Sequence, residues 1–313
     1  MSGFTFRPAV REVGALLIGL IGPSGAGKTY TAMRLAMGIS GEKPFAVIDT
    51  EASRAKHYAD LFKFDHGDLK PPFRPSAYAD AIKAADEAGY RAIIVDSCSH
   101  EWAGEGGILD WQEEELTRMA GNDYQKREAC KMAAWVKPKM GHKQMIQRLL
   151  QVRANLILCF RAEEKVKMEK DKNGKVQIIP IGFQPICSKE MPYELTISFL
   201  LTPERPGFPQ PIKLQEQHKP LFPLERQINE ESGRLISEWA AGGAKPEKPK
   251  TKDFDFLKAM GEAKKNLGDE TYYGILTGRW GCEHANLVIA EKEQQEILSE
   301  MREAYKTKKG EVI

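Results

Sequence analysis

The sequence predicts an α/β fold with a mostly parallel sheet, followed by a small α-helical domain. Three observations carry this expectation. Strand-length apolar runs alternate with stretches of helical periodicity through the first two-thirds of the chain. The first run opens directly into Gly22-Pro23-Ser24-Gly25-Ala26-Gly27-Lys28-Thr29, which fits G-x-x-x-x-G-K-[ST]. A small, proline-bearing, basic stretch at 241–252 then sets apart a tail with helical patterning.

Taken in order, residues 1–14 read as an edge strand or arm. The uncharged run from Ala15 to Ile21 is a buried strand. Ala32, Leu35, Ala36 and Ile39 recur at helical spacing, so the glycine-rich loop joins a strand to a helix. Phe45–Asp49 is a second strand, followed by Thr50-Glu51. Pro71, Pro72 and Pro75 mark a loop, and Ser76 is the expected N-cap of a helix closed by Gly89. Ala92–Asp96 is a third strand ending in an acid. Residues 101–152 are polar and helical, with breaks at Gly104, Gly106-Gly107 and Gly121. Leu156–Phe160 is the next strand. Val166–Glu169 and Val176–Ile179 flank Lys172-Asn173-Gly174, a hairpin signal because Asn-Gly tolerates positive φ. Leu195–Leu201 is another strand, the prolines from 203 to 211 mark a loop with short edge strands, and Ser232–Trp239 is a closing helix. The expected domains are a core at 1–243, a flexible basic linker at 244–252 and a helical module at 253–313.

The 313 residues carry a net charge of +2, so bulk charge does not advertise nucleic acid or a membrane surface. No apolar run reaches the roughly 18 residues of a membrane span, and the N-terminus lacks a signal-peptide core. Cys98, Cys130, Cys159, Cys187 and Cys282 form no C-x-x-C pair, which points to neither zinc nor disulfides. A reducing cytoplasm and no membrane partner are expected.

The motif residues dictate a specific chemistry. Glycines let the backbone approach a polyphosphate with its N–H groups, and the helix N-terminus adds positive charge. Gly22, Pro23, Ser24, Gly25, Ala26, Gly27, Lys28, Thr29 and Tyr30 are the expected nucleotide-binding set. Lys28 reaches the β- and γ-phosphates of ATP, and the Thr29 hydroxyl ligates Mg²⁺. Asp96, ending an apolar strand, is the second expected metal-orienting group. Glu51 follows a strand on the same rim and is the expected base for the attacking water, with Glu101 in reserve. Asp49 is expected to be structural. Arg161 is placed to sense the γ-phosphate or to be a surface arginine. Lys165, Lys167 and Lys189 read as surface lysines, or as groups reaching a neighbouring subunit's nucleotide. Between Glu101 and Arg153, Trp102, Trp111 and Trp135 lie among eight basic residues; this suits single-stranded nucleic acid or, equally, a packed helical lid.

GPSGAGKT, VIDTE, IIVDS and an apolar strand ending at a polar sensor together resemble the RecA-like core of recombination ATPases. The run DTEASRAKHYADLFKFD, with DSCSHEWAGEGGILD and the stretch at 135–138, is similar to phage-encoded ATP-binding proteins found beside single-strand annealing proteins. The resemblance covers roughly residues 14–242. Departing from that pattern, Ala162-Glu163-Glu164-Lys165 stands where a Ser-Lys pair follows the sensor arginine. The resemblance implies a P-loop ATPase with a RecA-like core, ATP and Mg²⁺ as cofactors, and Glu51 as catalytic base. It also implies rings or filaments, single-stranded DNA as ligand, a phage annealing or single-strand binding protein as partner, and the bacterial host cytoplasm as location. A nucleotide-gated adaptor that loads a helicase or annealing protein is the alternative. A small-molecule kinase fits less well, because residues 101–153 are acidic and aromatic rather than arginine-rich.

Overall fold

A computed structural model describes residues 15–170, 176–241, 256–278, 280–281, 284–285 and 291–309. The expected arm at 1–14, the Lys172-Asn173-Gly174 turn and the linker from 242 on lie outside the described residues. The chain divides into two compact units, Met1–Ala244 and Lys245–Ile313.

In the first unit, β1 (Leu17–Gly22), β2 (Phe45–Asp49), β3 (Phe64–Asp68), β4 (Ala92–Asp96) and β5 (Asn155–Lys170) run parallel. β6 (Val176–Pro185) pairs antiparallel with β5, and β7 (Ile197–Thr202) is parallel to β1. β8 (Arg205–Lys213) closes the edge antiparallel to β7, and the order along the sheet is β3-β2-β4-β5-β1-β7-β8. The expected α/β class with a mostly parallel sheet is the one observed.

Alternation along the strands divides the core in two. Ile18, Leu20, Ile94 and Ile157 face α1 (Lys28–Ser40) and α8 (Glu230–Ala240), meeting Leu35, Ile39 and Ile236. Leu17, Ile21, Ile93, Val95 and Leu158 face α2 (Pro75–Glu87) and α6 (Val136–Leu149), meeting Tyr78, Ile82, Met145 and Leu149. Both faces are covered, which is why these strands read as continuous apolar runs. The polar segment forms α3 (Ser99–Ala103), α4 (Ile108–Ala120) and α5 (Tyr124–Cys130) before α6, and α7 (Met191–Glu194) precedes β7.

Three sequence expectations change. Ser76 does not cap α2: Arg74 holds the N-cap position and Pro75 the first turn, where its missing N–H costs nothing. β3 was not anticipated, because Phe64-Asp65-His66-Gly67-Asp68 is an edge strand with one apolar residue and mostly exposed side chains. The proline-rich stretch forms one nine-residue edge strand, β8, whose outer side needs no N–H donors.

Past Arg161, β5 leaves the sheet as a two-stranded ribbon with β6. The pairing puts Val166, Met168, Val176 and Ile178 on one face, all exposed. Glu163, Lys165, Lys167 and Glu169 occupy the other, where Glu163 pairs with Lys165 and Glu169 with Lys167.

The second unit is helical, as expected: α9 (Phe256–Leu267), α10 (Asp269–Gly278) and α11 (Glu291–Lys309) bury Phe256, Met260, Leu267, Leu276, Ile297 and Met301.

Two glycines set the crossing of α1 and α8. A Cβ on Gly38 would lie 2.0 Å from the Glu230 carbonyl oxygen, and one on Gly233 2.2 Å from that of Leu35. Gly38→Ala is expected to destabilise the core by about 2 kcal/mol through overpacking against backbone. Gly261→Ala, where nothing lies within 4 Å, is expected not to destabilise. Thermal denaturation of the two variants checks both.

Candidate nucleotide site

Parallel register brings four strand ends to one rim. Asp49 lies opposite Asp96, Asp96 opposite Cys159, and Gly22 opposite Arg161. The loop leaves β1 at that level and turns into α1. Gly25 and Gly27 have φ of 80° and 79°, conformations that side-chain-bearing residues rarely adopt. Gly27 is the N-cap of α1, and no side chain caps it. The first N–H groups of a 13-residue helix therefore remain for an anion. The Lys28 ammonium folds back on the loop and donates to the Pro23 carbonyl at 2.9 Å.

The Thr29 hydroxyl donates to Asp96 Oδ2 at 2.5 Å. A hydroxyl and a carboxylate touching at the loop form a hard-oxygen pair of the kind Mg²⁺ takes along with phosphate oxygens, so these residues fit that ion. Asp96 is 6% exposed. Burial raises its carboxyl to about 6; the Thr29 bond and Lys28 oppose this, while the Glu51 and Asp49 charges add to it. The Asp96–Ser97 peptide is cis.

Glu51 stands above this pair with its side chain 21% exposed. Its Oε1 accepts from Arg161 Nε at 3.0 Å and from a second Arg161 nitrogen at 2.8 Å, and Arg54 lies 3.6 Å from Oε2. Asp49 is structural, as expected. Buried at the end of β2, it accepts from the Glu51 N–H at 2.6 Å and the Ala55 N–H at 2.9 Å, and meets His66 at 3.2 Å. It thereby pins the turn that carries Glu51.

Lys28, Thr29, Tyr30, Glu51, Asp96 and Arg161 all line one open cleft of about 550 Å³. A larger groove of about 890 Å³, between α2 and the end of α6, holds none of them. Sequence reasoning missed Arg54, Tyr58, Ala162 and Ile186 of the cleft lining. Tyr58 lies in the 3₁₀ turn Arg54–Tyr58, its ring 6.0 Å from that of Tyr30, which also packs edge-on to Phe62 at 5.5 Å. An aromatic residue seven positions past Glu51 was the available signal.

Other sequence candidates lie elsewhere. Glu101, the reserve base, is buried and bonded to His142 Nδ1 at 2.9 Å, and it does not line the cleft. Trp102 stacks on Trp135 at 6.1 Å, and Trp111 holds the Arg74 guanidinium at 4.9 Å. Arg118 and Lys137 pair with Glu115, Arg127 with Glu113, and Arg148 with Asp80. The cations of this segment are thus largely paired, and none of its residues lines the cleft. Cys98 and Cys159 are buried in the core, and burial pushes both thiols up, so they are inert. Among the described residues no helix is long and apolar enough to cross a membrane, and no three His, Cys, Asp or Glu residues gather as a metal cluster.

A family model described as an AAA domain matches residues 15–201. No curated protein matches. Among solved structures, the chain is similar to an ATPase from the type III secretion system of pathogenic bacteria, at 11% identity and a TM-score of 0.34. That similarity covers 94% of this chain and 86% of the other.

The Asp96 carboxyl has a measurable consequence. Its folded value, about 6, lies above its ordinary 3.8, so folding takes up a proton between these pH values. Stability from this group is fully present below pH 3.8 and lost as pH rises through about 6. In protein stripped of divalent cations, Asp96→Asn is expected to remove on the order of 2–3 kcal/mol of the stability difference between acid and alkaline conditions. Urea denaturation of the two proteins across pH checks it.

Proposed function

The chain belongs to the AAA-domain family, which makes it a P-loop ATPase domain, and from that premise we propose how it turns ATP over and to what end. The carrying observation is the convergence of Lys28, Thr29, Glu51, Asp96 and Arg161 on one cleft. The loop amides and the α1 N-terminus hold the triphosphate. Lys28 exchanges the Pro23 carbonyl for phosphate oxygens. Thr29 and Asp96 would hold Mg²⁺, which when bound would neutralise charge on the phosphates. Arg161 turns from the Glu51 carboxylate to the γ-phosphate, a stronger anion, and stabilises the charge that develops there. Glu51, released, orients the attacking water and accepts its proton. Tyr30 and Tyr58 offer ring faces beside the loop on which a nucleobase can stack.

The biological reading is DNA recombination: an oligomeric, ring- or filament-forming ATPase that binds single-stranded DNA and assists annealing or strand exchange. It works beside a phage annealing or single-strand binding protein in the bacterial cytoplasm. Its support is the resemblance of the DTE and SHEW-GEGG runs to phage recombination ATPases. The second reading, a nucleotide-gated adaptor with little DNA contact, draws on a specific observation. The cations of residues 101–153 are largely paired and the tryptophans packed, whereas the β5–β6 ribbon, rooted at Arg161, presents an exposed apolar face.

Lys28→Ala is expected to weaken nucleotide binding at least tenfold. Glu51→Gln is expected to bind ATP normally and to lose turnover by roughly 100-fold or more, within the range for removing a positioned base. Steady-state hydrolysis and nucleotide titration check both; normal turnover in Glu51→Gln removes that residue from its role.

Single-stranded DNA is expected to stimulate hydrolysis at low salt. The logarithm of the DNA affinity should fall with that of salt concentration, with a slope of about −0.7 per phosphate neutralised. Hydrolysis and DNA binding measured across a salt series decide between the readings. Indifference to single strands at low salt leaves the adaptor.

A further inference from the structure

Thr50, between Asp49 and Glu51, ties together the ends of two strands. Its N–H donates to the Asp96 carbonyl at 2.8 Å. Its hydroxyl accepts from the Ser97 N–H at 2.8 Å, lies 3.1 Å from the Ser97 carbonyl and sits 2.8 Å from His100 Nδ1. In either neutral tautomer His100 makes this bond, since a hydroxyl both donates and accepts. The imidazole stacks on Phe73 with ring centroids 5.1 Å apart, which fixes its plane. Burial, and secondarily the Arg161 guanidinium, hold His100 below the usual imidazole range, so the neutral ring prevails at neutral pH; Glu51 and the Thr50 backbone pull the other way. The neighbouring Ser99 hydroxyl accepts from the Arg161 N–H at 2.9 Å, so α3 also anchors the backbone of the arginine that grips Glu51.

We propose that His100 is a positioning residue for the Glu51 base, acting through the Thr50 hydroxyl. This rests on the role given to Glu51 above. The lever is one residue long. Rotation of Thr50 swings the Cα–Cβ bond of Glu51, and the ring of His100, with the Tyr78 hydroxyl beside it, is a side-chain contact that holds the Thr50 hydroxyl at the end of β4. Misplacement of a reacting group by about 1 Å costs up to ~10²-fold in rate. Nucleotide binding involves the loop and α1, which His100 does not touch among the contacts described, so the loss falls on turnover rather than on affinity.

The test uses the full chain, with ATP turnover and binding of a fluorescent ATP analogue measured on the same preparations. His100→Phe keeps a ring to stack on Phe73 and removes Nδ1; His100→Asn keeps a polar group where Nδ1 lies. His100→Phe is expected to lower kcat roughly tenfold with KM and analogue affinity within about twofold, and His100→Asn to restore at least half of the loss. Thr50→Val should reproduce the loss and Thr50→Ser should not; this pair carries the test if His100→Phe does not fold. Combined with Glu51→Gln, His100→Phe should cause no further loss. The proposal is overturned by a wild-type kcat in His100→Phe, by a defect carried by KM, or by an equal loss in His100→Asn. Wild-type turnover in Glu51→Gln instead overturns the role of Glu51 itself, so the two failures are told apart.

Discussion

The site depends on parallel strand register. Asp49, Asp96 and Cys159 stand level across β2, β4 and β5, and Gly22 stands level with Arg161 across β1 and β5. Each strand then delivers its functional group within two residues of that line: Glu51 after β2, Asp96 ending β4, Arg161 within β5, and the phosphate loop after β1. A shift of one residue in any strand would exchange its two faces and turn a core side chain outward. Because both faces are packed with branched apolar residues, such slips are strongly disfavoured. Precision at the rim therefore comes from packing several ångströms below it.

That register concentrates carboxylates, and the molecule manages their repulsion in three ways. Asp49 accepts from two amide donors and meets His66. Glu51 is matched by Arg161, with Arg54 at longer range. Among the described residues the side-chain donor to Asp96 is the Thr29 hydroxyl, and burial with its like-charged neighbours raises its carboxyl to about 6. This imbalance suits the divalent cation proposed for Thr29 and Asp96. A carboxylate fully satisfied by protein donors would have little to gain from a metal ion, whereas one held above its ordinary value gains most when a cation arrives.

Much of this was legible in the sequence. The loop motif between an apolar strand and a helix fixed the position of the anion cradle. Acids following apolar runs located Glu51 and Asp96, because parallel strands place such positions on a common rim. What could not be read has physical causes. β3 is an exposed edge whose pairing with β2 is set by the backbone rather than by apolar pattern. Pro75, not Ser76, begins α2, because a proline at the first turn fits as well as a capping hydroxyl does elsewhere. Arg54 and Tyr58 belong to a short 3₁₀ turn, which carries too few residues to show a period. His100 and Thr50 meet across 50 positions of sequence, and no local pattern announces such a contact.

The triplet Asp49-Thr50-Glu51 shows why the carboxylate proposed as the base stands where the chain leaves the sheet. Asp49 still belongs to the strand, is 1% exposed and faces inward to the amides of the turn. Thr50 is the first residue beyond β2, and its amide and hydroxyl are both spent on the end of β4. Only with Glu51 is the chain free of the ladder, and only there can a side chain reach solvent and ligand while its backbone remains anchored from both sides. A base placed one residue earlier would be buried and already satisfied. One placed a few residues later would sit in a turn tied mainly to itself. The position is set by where backbone hydrogen bonding to the sheet ends, and the two preceding residues extend the rigidity of the sheet to the carboxylate.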